Sequence, residues 1–145
     1  MSMKPLQVYE FVVEGEPVPW TVYTRRGPPT PGFLDMKAWQ AQIQAAVIEK
    51  FGSPMLTGLI RMDVEFYRTM PGRHPRTPIA WTRRCMSQIG KRPDRTNILK
   101  AFEDALNGLL FMDDAQVVGG NTKKWFCPAG ARPYTRAKVM AMERR

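Results

Sequence analysis

Residues 96–107 place Ile98, Phe102 and Ala105 on one stripe at helical spacing, with Leu109 beyond and Leu99 and Leu106 widening it. A helix with a single apolar stripe must lie on another element, and the chain supplies strands to receive it. VYEFVVEG (8–15), β-branched and aromatic, reads as a first strand. LIRMDVEFY (59–67) alternates apolar and polar residues, as a half-buried strand does. A second amphipathic run, 35–51, sets Trp39, Ile43, Ala46, Val47 and Phe51 at helical spacing, with Asp35 near its start and Gly52 just past its end. Beyond Asn107-Gly108, a natural helix stop, come a strand through AQVV, a glycine-containing bend into NTKKWF, and a weak final strand in VMAME. The expected fold is α+β (mixed α/β): a small mixed sheet of about four to five strands with two main helices packed on it. At 145 residues the chain is expected to form one domain, 1–145. Its proline- and arginine-rich stretch 69–93 reads as a basic, flexible loop, too long to be a plain connection.

Composition removes several function classes. No apolar run approaches the eighteen or so residues a membrane helix needs, and MSMKPLQVYEF lacks the features of a signal peptide. A cytoplasmic location is the expectation, with no membrane partner. Cys85 and Cys127 lie far apart and form no CxxC pair, so they read as reduced, incidental thiols. His74 is the only histidine, which excludes C2H2 fingers, HExxH sites and histidine-rich nuclease motifs. Any chemistry must rest on carboxylates, lysines or hydroxyls.

Charge then suggests a partner. Twenty-two Lys and Arg against thirteen Asp and Glu give a net charge of +9, and cationic side chains that neutralise phosphates release condensed counterions. The basic residues come in small groups rather than one tail: Arg25-Arg26, Arg73 with Arg76, Lys91-Arg92 with Arg95, and Lys123-Lys124 among them. That distribution fits a nucleic-acid-binding surface on a folded domain. The plainer reading is a solvated basic surface.

Against this background, residues 92–118 hold five of the thirteen acidic residues: Asp94, Glu103, Asp104, Asp113 and Asp114. Thr96, Lys100, Glu103 and Asn107 share a wedge of the second helix opposite its apolar stripe, with Asp104 beside them. If the strand after the helix packs beside the helix start, Asp94 and Asp114 could meet and bind a hard cation through oxygen; magnesium needs only one or two carboxylates plus substrate phosphate. Lys100 would add positive charge near the reacting phosphate. Each residue also has a plain structural reading. Asp94 or Thr96 could cap the helix, Lys100 and Glu103 could be an i,i+3 pair, and Asp113-Asp114 could form a turn.

The segment as a whole is more specific. Pro93-Asp94-Arg95-Thr96-Asn97, Lys100, Asp104-Ala105-Leu106-Asn107-Gly108 and Asp113-Asp114-Ala115-Gln116-Val117 together resemble the RusA family of endodeoxyribonucleases, phage- and prophage-associated resolvases of four-way DNA junctions. The family pattern runs PDxDN, xxK, DALNG, DDxQV. EGEPVPW (14–20) is similar to the family's early turn, His74 falls in a similar basic loop, and Lys123 or Lys124 suits its late lysine. The resemblance implies a homodimer with two acidic Mg²⁺ sites (Mn²⁺ can substitute) facing a basic surface, and paired symmetric nicks that resolve a Holliday junction. It makes Asp94 and Asp114 metal ligands and Lys100 the catalytic lysine. Arg25, Arg26, Arg73, Arg76, Lys91, Arg92, Arg95, Lys123 and Lys124 are the candidate DNA contacts. No small organic cofactor is expected.

One position departs from the pattern. Thr96 stands where the family has its second aspartate, so the site loses a formal negative charge. Glu103, two turns on along the same side, is a candidate to restore it, and similar family members pair a non-acidic residue here with ED ahead of ALNG. Asp113 joining Asp114 is the alternative. Failing both, the chain would bind junctions without cutting them, stacking bases on Trp20, Trp81 or Trp125.

Overall fold

The computed structural model describes residues 5–21, 27–69, 94–127 and 131–142. Strand β1 (Pro5–Glu14) is followed by helix α1 (Pro31–Phe51) and strand β2 (Ile60–Arg68). Helix α2 (Arg95–Leu106), a 3-10 turn (Asp114–Gln116), and strands β3 (Val117–Gly119), β4 (Thr122–Phe126) and β5 (Tyr134–Met142) complete the order. The α+β class and the five-stranded mixed sheet agree with the sequence reading.

The chain's last strand corrects that reading. β5 is longer than the weak final strand expected: it spans nine residues and lies between β1 and β2, antiparallel to both. Thr135, Ala137, Val139 and Ala141 point inward and are buried, while Arg136 and Lys138 point outward. Short inward side chains suit a strand in the middle of the sheet, and they are also why its hydrophobic signal is faint.

β3 and β4 are two pieces of one line rather than a hairpin. Both pair with β2 in parallel, β3 at Ile60–Arg61 and β4 at Val64–Arg68. Gly120 makes the break possible. Its φ is +128°, and a Cβ there would lie 1.8 Å from the Met62 carbonyl oxygen, so only glycine fits. Asn121 then rejoins β2, donating its amide to Asp63 Oδ1 at 2.8 Å and accepting from the Val64 amide at 2.9 Å.

α1 starts one turn earlier than its apolar spacing suggests. Thr30 caps it by accepting from the Phe33 amide at 3.2 Å, and Pro31 takes the first position, where a missing N–H costs nothing. Trp39, Phe66, Phe102 and Phe11 form the centre of the core, with Phe66 and Phe102 edge-on at 5.7 Å and Phe11 stacked on Phe102 at 6.1 Å. Fully burying a side chain of this kind contributes about 1.5–3 kcal/mol. The α2 stripe is as expected: Ile98, Ala101, Phe102, Ala105 and Leu106 are buried. Two glutamines one turn apart on α1 fix the helix pair, Gln40 Nε2 donating to the Ala101 carbonyl at 2.9 Å and Gln44 Nε2 to the Ala105 carbonyl at 3.2 Å. With its inner face locked, α2 presents Asp94, Lys100 and Glu103 away from the core. No helix among the described residues is long and apolar enough to cross a membrane.

Candidate active site along helix α2

Asp94 occupies the N-cap position of α2, yet its side chain makes no capping hydrogen bond; the Asn97 amide bonds the Asp94 backbone carbonyl instead. The carboxylate is exposed at the positive end of the helix dipole and lines an open groove of about 790 Å³ with Trp20, Asp35, Arg68 and Asn97. Its charge reaches Lys124, whose pKa is lowered by burial first and by Arg68 next, with Asp94 pulling the other way. The start of the helix is therefore an acid among bases.

The other end differs. Glu103 is half-buried, and burial, followed by the charges of Asp114 and Asp104, pushes its pKa up to about 7. The Asp114 pKa is raised as well, first by a hydrogen bond with the Asp113 carboxyl, then by burial and by the charges of Asp113 and Asp104. Asn107 opposes that rise by hydrogen-bonding to Asp114. Glu103 is thus electrostatically coupled to Asp114 at this end of the helix. Nine residues separate Asp94 from Glu103, about 13 Å of helical rise. Among the described residues, no group of three or more His, Cys, Asp or Glu side chains forms a set that could hold a metal ion. The pair still suits a cation that takes one or two carboxylates and completes its shell with water and substrate.

Asp113 and Asp114, adjacent in sequence, have separate tasks. Asp113 is a cap: its Oδ1 accepts from the Ala115 amide at 3.0 Å, and that bond is the first cause holding its pKa down. Gln116 completes the capping box, its Oε1 accepting from the amides of Met112 and Asp113 at 2.9 Å each. Its Nε2 donates to the carbonyls of Leu56 and Gly58 at 2.9 and 3.0 Å. Those four bonds tie the Asp114 turn to the segment leading into β2. The sequence reading quoted Gln116 as part of the motif and gave it no task; the glutamine three residues after an Asp cap was the available signal.

Lys100 lies between the two ends. Its Nζ sits 3.6 Å from the centroid of the Trp20 ring, and among the described residues it makes no ion pair with Glu103. Trp20, a candidate base-stacking platform in the sequence, therefore has a ring face occupied by a lysine.

Of the candidate DNA contacts, Arg95, Lys123 and Lys124 come together around a pocket of about 370 Å³ that Thr122 and Trp125 complete. Arg95 Nη1 donates to the Thr122 carbonyl at 3.2 Å, joining helix start to strand. Lys123 is exposed and Lys124 is 9% exposed, as alternation along β4 requires. Arg25, Arg26, Arg73, Arg76, Lys91 and Arg92 lie outside the described residues, as do His74, Trp81, Cys85 and nearly all of the 69–93 stretch. Cys127 is a buried thiol that donates to the Arg68 carbonyl at 3.2 Å.

A Bacillus subtilis (strain 168) protein named uncharacterized protein YqaN is 32% identical over 74 residues, which are 50% of this chain and 52% of that protein. The chain spans about half the length of this curated relative. The family model described as endodeoxyribonuclease RusA matches residues 21–138, a span that includes α1, β2, α2, the Asp114 turn, β3 and β4. The chain belongs to the RusA family.

Proposed function

We propose that this chain is a magnesium-dependent endodeoxyribonuclease that resolves four-way DNA junctions by paired, symmetric nicks. The family match over residues 21–138 carries the reading, and the electrostatic coupling of half-buried Glu103 to Asp114 supports it. Glu103 and Asp114 are the pair that would hold a Mg²⁺ ion; repulsion between neighbouring carboxylates is what a cation relieves. Bound there, the ion supplies neutralisation of the scissile phosphate and a more acidic water. Asp94, a ligand by the family pattern, stands toward the other end of the strip and works on the same substrate. Lys100, between them, offers positive charge where the phosphate gains negative charge. Arg95 and Lys123, beside the buried Lys124, grip a neighbouring phosphate and set the register of the strand. Working as a homodimer, the protein presents two such strips to two equivalent strands, as two-fold symmetry requires. Its place of work is the cytoplasm, on phage or prophage DNA.

End-labelled four-way junctions incubated with Mg²⁺ or Mn²⁺ test the reading. Paired nicks at symmetric positions are expected, and Asp94→Asn should abolish them while junction binding stays intact or tightens. The second reading, a junction-binding protein that no longer cuts, draws on Thr96 in place of the family aspartate. Tight binding with no nick under either metal would establish it and remove the first.

A further inference from the structure

Trp20 and Lys100 are eighty residues apart in sequence and in contact in the fold, and the contact is built on both sides. Trp20 follows Pro17 and Pro19, whose rings fix φ and stiffen the segment that presents the indole. The Trp20 amide donates to the Asn97 carbonyl at 2.9 Å, docking the segment on the first turn of α2. The next residue, Thr21, donates its amide to Met36 Sδ at 3.3 Å, which ties the segment to α1 as well. Trp20 also packs against the core. Lys100, one turn beyond Asn97, then lays its ammonium over the ring at 3.6 Å, well inside the range of a cation–π contact.

Among the described residues, Lys37 and Lys50 also lie near aromatic rings, and they differ in kind. Lys37 over Phe33 at 5.5 Å and Lys50 beside Phe51 at 5.4 Å are neighbours along one helix and sit farther from the ring. Indole is also the strongest of the aromatic partners for a cation. A long flexible lysine on an exposed helix face ordinarily samples many rotamers. Lys100 has one held for it.

We infer that Trp20 is a positioning residue, holding the Lys100 ammonium at a fixed place between Asp94 and the Glu103–Asp114 pair so that it meets the substrate phosphate pre-organised. The inference rests on the part given to Lys100 under Proposed function. It goes beyond the family pattern in assigning the PVPW segment a task in the reaction rather than in base stacking. No bond is made or broken by Trp20; it acts through the lysine alone.

The test compares Trp20→Leu, Trp20→Phe, Lys100→Ala and the Trp20→Leu/Lys100→Ala double variant in the full chain. Misplacing a reacting group by about 1 Å costs up to roughly 100-fold, so Trp20→Leu should lower kcat for junction nicking by about 10- to 100-fold with KM within about threefold. Trp20→Phe should restore most of the rate. In the Lys100→Ala background, Trp20→Leu should produce no further loss. A separate readout needs no activity: the Lys100 ε-methylene protons, held over an indole face, should resonate upfield and return to ordinary lysine values in Trp20→Leu. The inference is overturned if the Trp20→Leu loss adds in full to that of Lys100→Ala, if Trp20→Phe fails as badly as Trp20→Leu, or if the Lys100 resonances do not move. An inactive wild-type protein that still gives the upfield resonances contradicts the nuclease reading and upholds the contact.

Discussion

The two ends of helix α2 carry carboxylates in opposite electrostatic settings. At the N-terminus, Asp94 faces the positive end of the dipole with Arg68, Arg95 and Lys124 close by. At the C-terminus, Glu103 and Asp104 lie in the last turn, where the dipole disfavours anions, and Asp114 and Asp113 are brought against them. No basic residue occupies that last turn. One end sets its carboxylate among basic side chains. At the other, burial of Glu103 and the neighbouring charges of Asp114 and Asp104 both favour a proton on the carboxylate, and an added cation would relieve the same charges.

The largest effect expected from this contrast is on cleavage. Asp114→Asn should lower junction nicking by on the order of 100-fold or more, measured in single-turnover assays, with junction affinity retained. Equal nicking by the variant and the parent would break the contrast at its acidic end.

Glu103 gives the next largest. Its folded pKa of about 7 lies above the ordinary 4.5, so between those values the folded protein binds more protons than the unfolded chain. The stability tied to this group is fully present below about pH 4.5 and is lost as pH rises through about 7. Glu103→Gln should therefore melt higher than the parent at pH 8 by about 2–4 °C, and equally at pH 4, in metal-free buffer. It should lose nicking activity despite that gain. A lower melting point at pH 8 would mean that the cluster is not under repulsive strain.

A titration with Mg²⁺ sharpens the same point. At ten times its dissociation constant the ion should raise the melting temperature of the parent by roughly 3–5 °C, and that of Glu103→Gln far less. The smallest effects belong to the basic pocket. Arg95→Ala and Lys123→Ala should each weaken junction binding and reduce the slope of log affinity against log salt by about 1, leaving the metal requirement unchanged. An unaltered slope would remove those side chains from the phosphate contacts.

Much of this architecture is written in local pattern, and the exceptions have physical causes. The stripe of α2 and the alternation of β2 follow directly from side-chain period, and both elements lie within a residue or so of their expected ranges. The first half of β5, before the VMAME run, escaped because Thr135 and Ala137 are too small to mark a buried face by hydrophobicity, though the alternation is there. The first turn of α1 escaped because Pro31-Gly32 looks like a turn until Thr30 is seen capping it. The RusA resemblance singled out Asp94, Lys100 and Asp114, but the division of labour between Asp113 and Asp114 depends on the capping box with Gln116. The electrostatic coupling of Glu103 to Asp114 depends on how residues 107–113 return the chain along the helix, and helical spacing alone left it open. Contacts such as Trp20 with Lys100, eighty residues apart, leave no trace in periodicity.

Binding of Mn²⁺ to the protein alone, followed by electron paramagnetic resonance in the absence of DNA, weighs the two ends of α2 against each other. Glu103→Gln should weaken the ion's affinity by at least about tenfold, and Asp94→Asn should leave it within about threefold of the parent. The reverse order, with Asp94→Asn abolishing binding and Glu103→Gln leaving it untouched, would put the cation at the helix start and refute the pairing of Glu103 with Asp114.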